Sequence, residues 1–104
     1  MAGFQAGGSS IAYGVSKAAL AHLTRCLAVA MAPDVLVNSV APGLMDGTQM
    51  TARLLPAQVE RASNETVLRR TVDKEDVAEQ VVTLARSDST TGQNILIDAG
   101  RFFH

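Results

Sequence analysis

Two short β-prone runs, set far apart, constrain this chain more than any other feature. Val35-Leu36-Val37-Asn38-Ser39-Val40 is bounded by Pro33 and by Pro42-Gly43, and Asn94-Ile95-Leu96-Ile97-Asp98 ends at Ala99-Gly100. Short apolar runs between turn residues read as strands buried on both faces. Helical patterns lie between them. Pro56 suits the first position of a helix running to about Arg70. Asp73 reads as the N-cap of a second helix, with Asp76 three residues on in a capping-box place. Val77, Val81, Val82, Leu84 and Ala85 give that helix an apolar stripe. Strand, helix, strand predicts a βαβ unit with parallel strands and a right-handed crossover. Asn38 is the odd residue in the first run, since a buried amide needs hydrogen-bond partners.

Upstream of the first strand, Ile11 to about Ala32 is a run of good helix formers that Pro33-Asp34 ends. Residues 1–8 are small and glycine-rich and read as a loop, and Ser9 or Ser10 suits the helix cap. This helix is apolar nearly all round, with Lys17, His22 and Arg25 as its only charge-bearing residues. Such a helix is expected to be covered on more than one side, one by a sheet and another by a partner helix. A homo-oligomer formed through the 11–32 helix is the expectation that follows.

Composition narrows the function classes. The chain has 104 residues, enough for one small domain, and is 47% apolar, which argues for a folded chain. A formal charge of −1 gives no electrostatic case for nucleic acid or an anionic membrane as partner. The longest apolar stretch, from Ala18 to Pro33, carries His22, Thr24 and Arg25 and is too short to span a bilayer. With a single cysteine, Cys26, no internal disulfide forms; this and the lack of a secretory pattern suit a cytoplasmic protein.

Tyr13-Gly14-Val15-Ser16-Lys17 carries the chemistry. Positions i and i+4 share a helix face, with Cβ atoms roughly 5–6 Å apart. An ammonium held near a phenol favours the phenolate and lowers its pKa, which fits the phenol to exchange a proton with an alcohol or carbonyl oxygen. Two specified residues are a weak pattern alone: a half-buried tyrosine beside a solvated lysine satisfies it equally. Cys26, mid-helix, is expected as a packed thiol rather than a nucleophile. His22 and His104 lack a third ligand or a triad partner, so neither metal binding nor nucleophilic catalysis is expected. Arg69-Arg70 reads as a solvated helix end.

Three segments in order give the pair its weight. Tyr13-x-x-x-Lys17 is followed by Val37-Asn38-Ser39-Val40-Ala41-Pro42-Gly43, and later by Thr91-Gly92-Gln93-Asn94-Ile95-Leu96-Ile97-Asp98-Ala99-Gly100. Together they closely resemble the C-terminal part of the short-chain dehydrogenase/reductase family, across essentially all of residues 1–104. The resemblance implies an α/β fold, part of a Rossmann-like doubly wound parallel sheet. It also implies an oxidoreductase that uses NAD or NADP on a small carbonyl or alcohol substrate, of the 3-oxoacyl-carrier-protein reductase kind. On this resemblance Tyr13 matches the catalytic acid/base, and Lys17 the residue that binds the nicotinamide ribose and tunes the tyrosine. Pro42 and Gly43 match the turn beside the nicotinamide. Leu44, Met45 and Thr48 fall in the segment that touches nicotinamide and pyrophosphate, within a substrate lid over 44–72. Asp98 resembles the family's strand-end acid, in a structural role.

The departures point to a second expectation. The glycine-rich dinucleotide loop and the family's catalytic asparagine are absent from residues 1–104, and the substrate-binding serine would fall at or before Met1. Ser9 and Ser10 stand too close to Tyr13 to replace it. The family often carries its threonine one place earlier than Thr48, where Gly47 stands. The alternative expectation is therefore a catalytically incomplete piece that binds no dinucleotide alone and self-associates through open strand edges and apolar helix faces.

Overall fold

The computed structural model describes residues 11–45 and 52–101. The predicted loop at 1–8, the caps at Ser9 or Ser10, Thr48 and His104 lie outside the described residues. Among those described, the order is α1 (Ile11–Met31), β1 (Ser39–Pro42), α2 (Pro56–Asn64), α3 (Lys74–Arg86) and β2 (Asn94–Ile97). β1 and β2 pair in a two-stranded sheet. Ser39 N–H donates to the Gln93 carbonyl and Gly43 N–H to the Ile97 carbonyl, so the two strands run parallel. Parallel neighbours need a crossover, and α2 and α3 lie within it. The α/β expectation holds. By its internal packing the chain divides into two compact units, Met1–Ser39 with Leu84–Ile95, and Val40–Thr83 with Leu96–His104.

In the first unit, α1 covers one narrow stripe. Gly14, Thr24 and Ala28 are buried and Lys17 and Ala21 half-buried, at spacings of three and four that keep them on one face. The stripe is made of small residues apart from Lys17, and Ala28 lies where a Cβ on Gly92 would meet it at 3.5 Å. Thr24 satisfies its hydroxyl inside the helix, donating to the Leu20 carbonyl at 2.9 Å. The other described side chains of the helix stay exposed within the chain, including Val15 at 65% and Val29 at 80%. Cys26 is exposed as well, which corrects the packed thiol predicted for it. Two residues beyond Thr24, it sits about 200° round the helix from the covered stripe.

Two boundaries shift from the predicted ones. The first strand begins at Ser39 rather than Val35 and runs to Pro42. Val35 N–H instead closes the end of α1 on the Met31 carbonyl, and Val35 and Leu36 are exposed. Asn38 finds the partners its burial requires: its Nδ2 donates to the Thr90 carbonyl at 2.9 Å, and its Oδ1 accepts the Gln93 N–H at 3.1 Å.

In the second unit, α2 ends at Asn64, not near Arg70. Pro56 stands at its start as predicted, and Gln58 reaches back to accept the Leu55 N–H at 2.8 Å. Beyond Asn64 the chain leaves the helix because its amides have better partners elsewhere. Val67 N–H donates to the Gly100 carbonyl, Leu68 N–H to the Ala99 carbonyl, and Val72 N–H to the Leu44 carbonyl. Arg69 has a positive φ of 55°, so Arg69-Arg70 belongs to a turn and not to a helix end. Asp73 precedes α3, and its Oδ1 accepts the Glu75 N–H at 3.0 Å, an N-cap bond. Hydrogen bonding with Glu75, side chain and then backbone, holds the Asp73 carboxyl below its ordinary value of 3.8, and the Arg70 and Lys74 cations add to this. Among the described residues, Ala28, Ala41 and Val72 are the buried hydrophobic side chains, and no large side chain is completely enclosed.

Candidate active site

The proposed chemistry falls in two places, each built by its own unit. In the first, positions 13 and 17 both lie within α1, which places them about 40° apart around the helix axis. Gly14 beside Tyr13 is buried, and Lys17 is half-buried on the covered stripe. The helical backbone includes Tyr13, whose side chain lies outside the described part of the structure. A helix is a suitable carrier for such a pair, since its register is fixed by its own hydrogen bonds rather than by distant contacts.

In the second place, β1 delivers Pro42 and Gly43 to the C-terminal end of the strand, the end at which open α/β sheets bind ligands. Gly43 donates its N–H to the Ile97 carbonyl at 2.8 Å, and the Leu44 carbonyl receives the Val72 N–H at 2.8 Å. The backbone is closely approached here. A Cβ on Gly43 would stand 3.0 Å from both Cα and Cβ of Asp98 and 3.4 Å from Cγ2 of Val72. Position 43 thus needs glycine for space. A small recess borders the turn, lined by Gly43, Leu44, Ser63, Thr66, Arg70 and Asp98 among others.

The polar groups of that recess are largely engaged within the chain. Asp98 is buried and its Oδ1 accepts the Gly100 N–H at 3.0 Å and the Arg101 N–H at 3.2 Å. That pattern holds a turn together. Thr66, also buried, donates its hydroxyl to the Ser63 carbonyl at 2.8 Å and accepts the Arg70 N–H at 3.1 Å. Arg101 pairs with Glu65 at 2.6 Å on a partly exposed surface, where an ion pair contributes little. Sequence reasoning missed Thr66 and Thr91. Thr66 lies in a polar segment without periodicity, and Thr91 was legible only as a turn residue. Met45 pairs in parallel fashion with Val72, outside the named strands. Among the described residues, no group of three or more His, Cys, Asp or Glu is placed to hold a metal, and no helix is long and apolar enough to cross a membrane.

Comparison with known proteins adds to this geometry. A family model described as enoyl-(acyl carrier protein) reductase matches residues 1–101. A Streptomyces violaceoruber protein, named as candidate ketoacyl reductase 2 of the granaticin polyketide synthase, is 45% identical over 102 residues. That match takes in 96% of this chain and 41% of the relative. The short-chain dehydrogenase/reductase homolog YusR of Bacillus subtilis is 36% identical over 97% of this chain and 77% of its own. Among solved structures, the Pseudomonas aeruginosa RhlG/NADP active-site complex superposes with a TM-score of 0.84 at 34% identity, covering 98% of this chain and 43% of that one. The chain thus spans about two-fifths of the length of the first and third of these proteins.

Proposed function

Because the chain belongs to the short-chain dehydrogenase/reductase family, we propose that it supplies the proton-transfer part of an oxidoreductase acting on a small carbonyl or alcohol substrate. The observation that carries this reading is the helical register that sets positions 13 and 17 on one face of α1. The Tyr13 phenol gives a proton to the carbonyl oxygen in reduction and takes it back in oxidation. The Lys17 ammonium favours the phenolate and meets the ribose hydroxyls of the cofactor. Pro42, Gly43, Leu44 and Thr48 shape the nicotinamide side, and residues 44–72 form the lid over the substrate.

The cofactor, when bound, would supply the hydride as NADH or NADPH in reduction and accept it as NAD or NADP in oxidation. Taken unit by unit, the half-buried lysine of α1 suits the ribose hydroxyls of such a cofactor, and the close-packed glycine at the strand end suits its nicotinamide. The names of the Streptomyces relative and of the NADP-bound neighbour support a 3-oxoacyl thioester substrate and NADP. The test is a chimera in which residues 1–104 replace the matching segment of the Streptomyces relative. Tyr13→Phe in that chimera is expected to lower turnover of a 3-oxoacyl thioester by at least about 100-fold while NADPH binding is kept. Turnover near that of the parent chimera sinks the assignment.

A second reading is favoured by the packing. No large side chain is completely enclosed among the described residues, and α1 leaves most of its apolar surface open. The 104 residues alone then form a catalytically incomplete piece that self-associates through the 11–32 helix. On this reading, NADPH fluorescence shows no binding by the chain alone and its apparent mass exceeds that of one copy. Micromolar binding by a monodisperse monomer would contradict it.

A further inference from the structure

The start of the β1–β2 ladder is made by side chains where backbone groups would ordinarily serve. Ser39 N–H meets the Gln93 carbonyl and Gly43 N–H meets the Ile97 carbonyl, both at an offset of 54 residues. Carried two residues back, an evenly spaced parallel ladder gives Val37 N–H to the Thr91 carbonyl and Gln93 N–H to the Val37 carbonyl. Neither bond is made. Val37 N–H goes to the Thr91 hydroxyl at 3.0 Å, and Gln93 N–H goes to Asn38 Oδ1 at 3.1 Å. The Val37 carbonyl is taken one residue early by Gly92 N–H at 2.7 Å, where Gly92 turns with a φ of 73°. The displaced Thr91 carbonyl accepts from the Gln93 carboxamide at 3.3 Å. Asn38 Nδ2 closes the set on the Thr90 carbonyl at 2.9 Å.

We propose that Asn38, with Thr91, is a positioning pair that fixes the register of β1 against β2 and thereby the residues that reach the Pro42-Gly43 turn. Hydrophobicity cannot fix that register by itself. Within β1, Val40 and Ala41 place apolar side chains at both even and odd positions. A one-residue slip therefore exchanges one apolar face for another, where alternating strands would lose burial. The Asn38 carboxamide discriminates because its two ends differ. Its oxygen must face an N–H and its NH2 a carbonyl, and a slipped strand presents like to like. A lone polar residue in an apolar interface sets register in coiled coils by the same means. What the turn does for a cofactor rests on the function proposed above; the register does not.

The test is amide hydrogen exchange on the 15N-labelled chain, which needs neither cofactor nor turnover. Asn38→Leu is expected to speed exchange of the Gly43 amide by about ten-fold and to move its chemical shift, with the amides inside α1 unchanged. Asn38→Asp keeps the acceptor for Gln93 and loses the donor to Thr90, so its Gly43 rate should fall between. Thr91→Val should speed Gly43 in the same direction, and Thr91→Ser should restore it. These two keep the proposal testable if Asn38→Leu does not fold. Faster exchange at Gln93 with Gly43 within two-fold of the parent overturns the proposal, since the carboxamide then holds only its own turn. A uniform rise that includes α1 overturns it also, since the pair then stabilises without positioning.

Discussion

In α1, twenty-one residues bond to one another along the helix and cover only a narrow stripe of small side chains. In the 66–72 turn, seven residues with no regular structure send amides to Gly100, Ala99 and Leu44, and bury Thr66 and Val72 in doing so. The helix is the apolar part and it is largely exposed; the turn is polar and holds two of the buried residues. Hydrophobic content therefore does not report what this chain covers. α1 is stable in register but open in packing, whereas the turn has no register of its own and is fixed by partners far along the chain. A proton-transfer pair needs the first property. A turn beside a ligand needs the second.

The contrast predicts unequal mutational costs. Gly100→Ala should be the most damaging to stability. Gly100 has a φ of 79°, and an added Cβ would stand 2.9 Å from the Val67 Cβ. Overpacking on this scale costs about 1–3 kcal/mol, read as a lower urea midpoint at unchanged slope. A midpoint like the parent's would show that the turn yields freely, and the comparison would fail. Val29→Lys, on the open side of α1, should change stability by no more than about 0.5 kcal/mol. It should also lower the apparent mass by size exclusion if the 11–32 helix joins copies. A large loss of stability there would mean that the open side is covered.

The smallest effect belongs to Asp73. Its folded pKa is lowered, so its contribution is complete at neutral pH, begins to fade as pH falls past 3.8, and is gone below its own pKa. Asp73→Asn should leave neutral-pH helicity nearly unchanged and flatten the acid limb of a circular-dichroism titration. Identical acid limbs in the two proteins would remove the N-cap from the account.

Legibility in the sequence followed the same divide. α1 was readable to within a residue of its end because an Ala- and Leu-rich run and a following proline act locally. β2 was readable because Gly92 and Gly100 bracket it, although Asp98 leaves the strand to cap the next turn. The end of α2 was not readable, since what competes with the helix at Val67 and Leu68 is a pair of carbonyls at Gly100 and Ala99. The start of β1 was hidden for a like reason: Val37 and Asn38 spend their polar groups on residues 90–93, and only the partner shows where regular pairing begins. The pair Tyr13 and Lys17 could be read because one helix fixes their spacing. The recess beside Gly43 could not, because Thr66 and Val72 reach it from the 66–72 turn and Asp98 from the end of β2.

The offset between the two strands also has a consequence in time. β1 cannot pair with anything near it in sequence, because the groups it needs lie at residues 91–97 and are made more than fifty residues later. During synthesis the stretch from Val35 to Ala41 therefore stays without that partner until residues 91–97 emerge. Asn38 in its middle and Pro42 at its end interrupt what would otherwise be a continuous β-prone run, the kind of break that discourages pairing with other chains. The amide that sets the register once β2 arrives is, until then, a guard against aggregation.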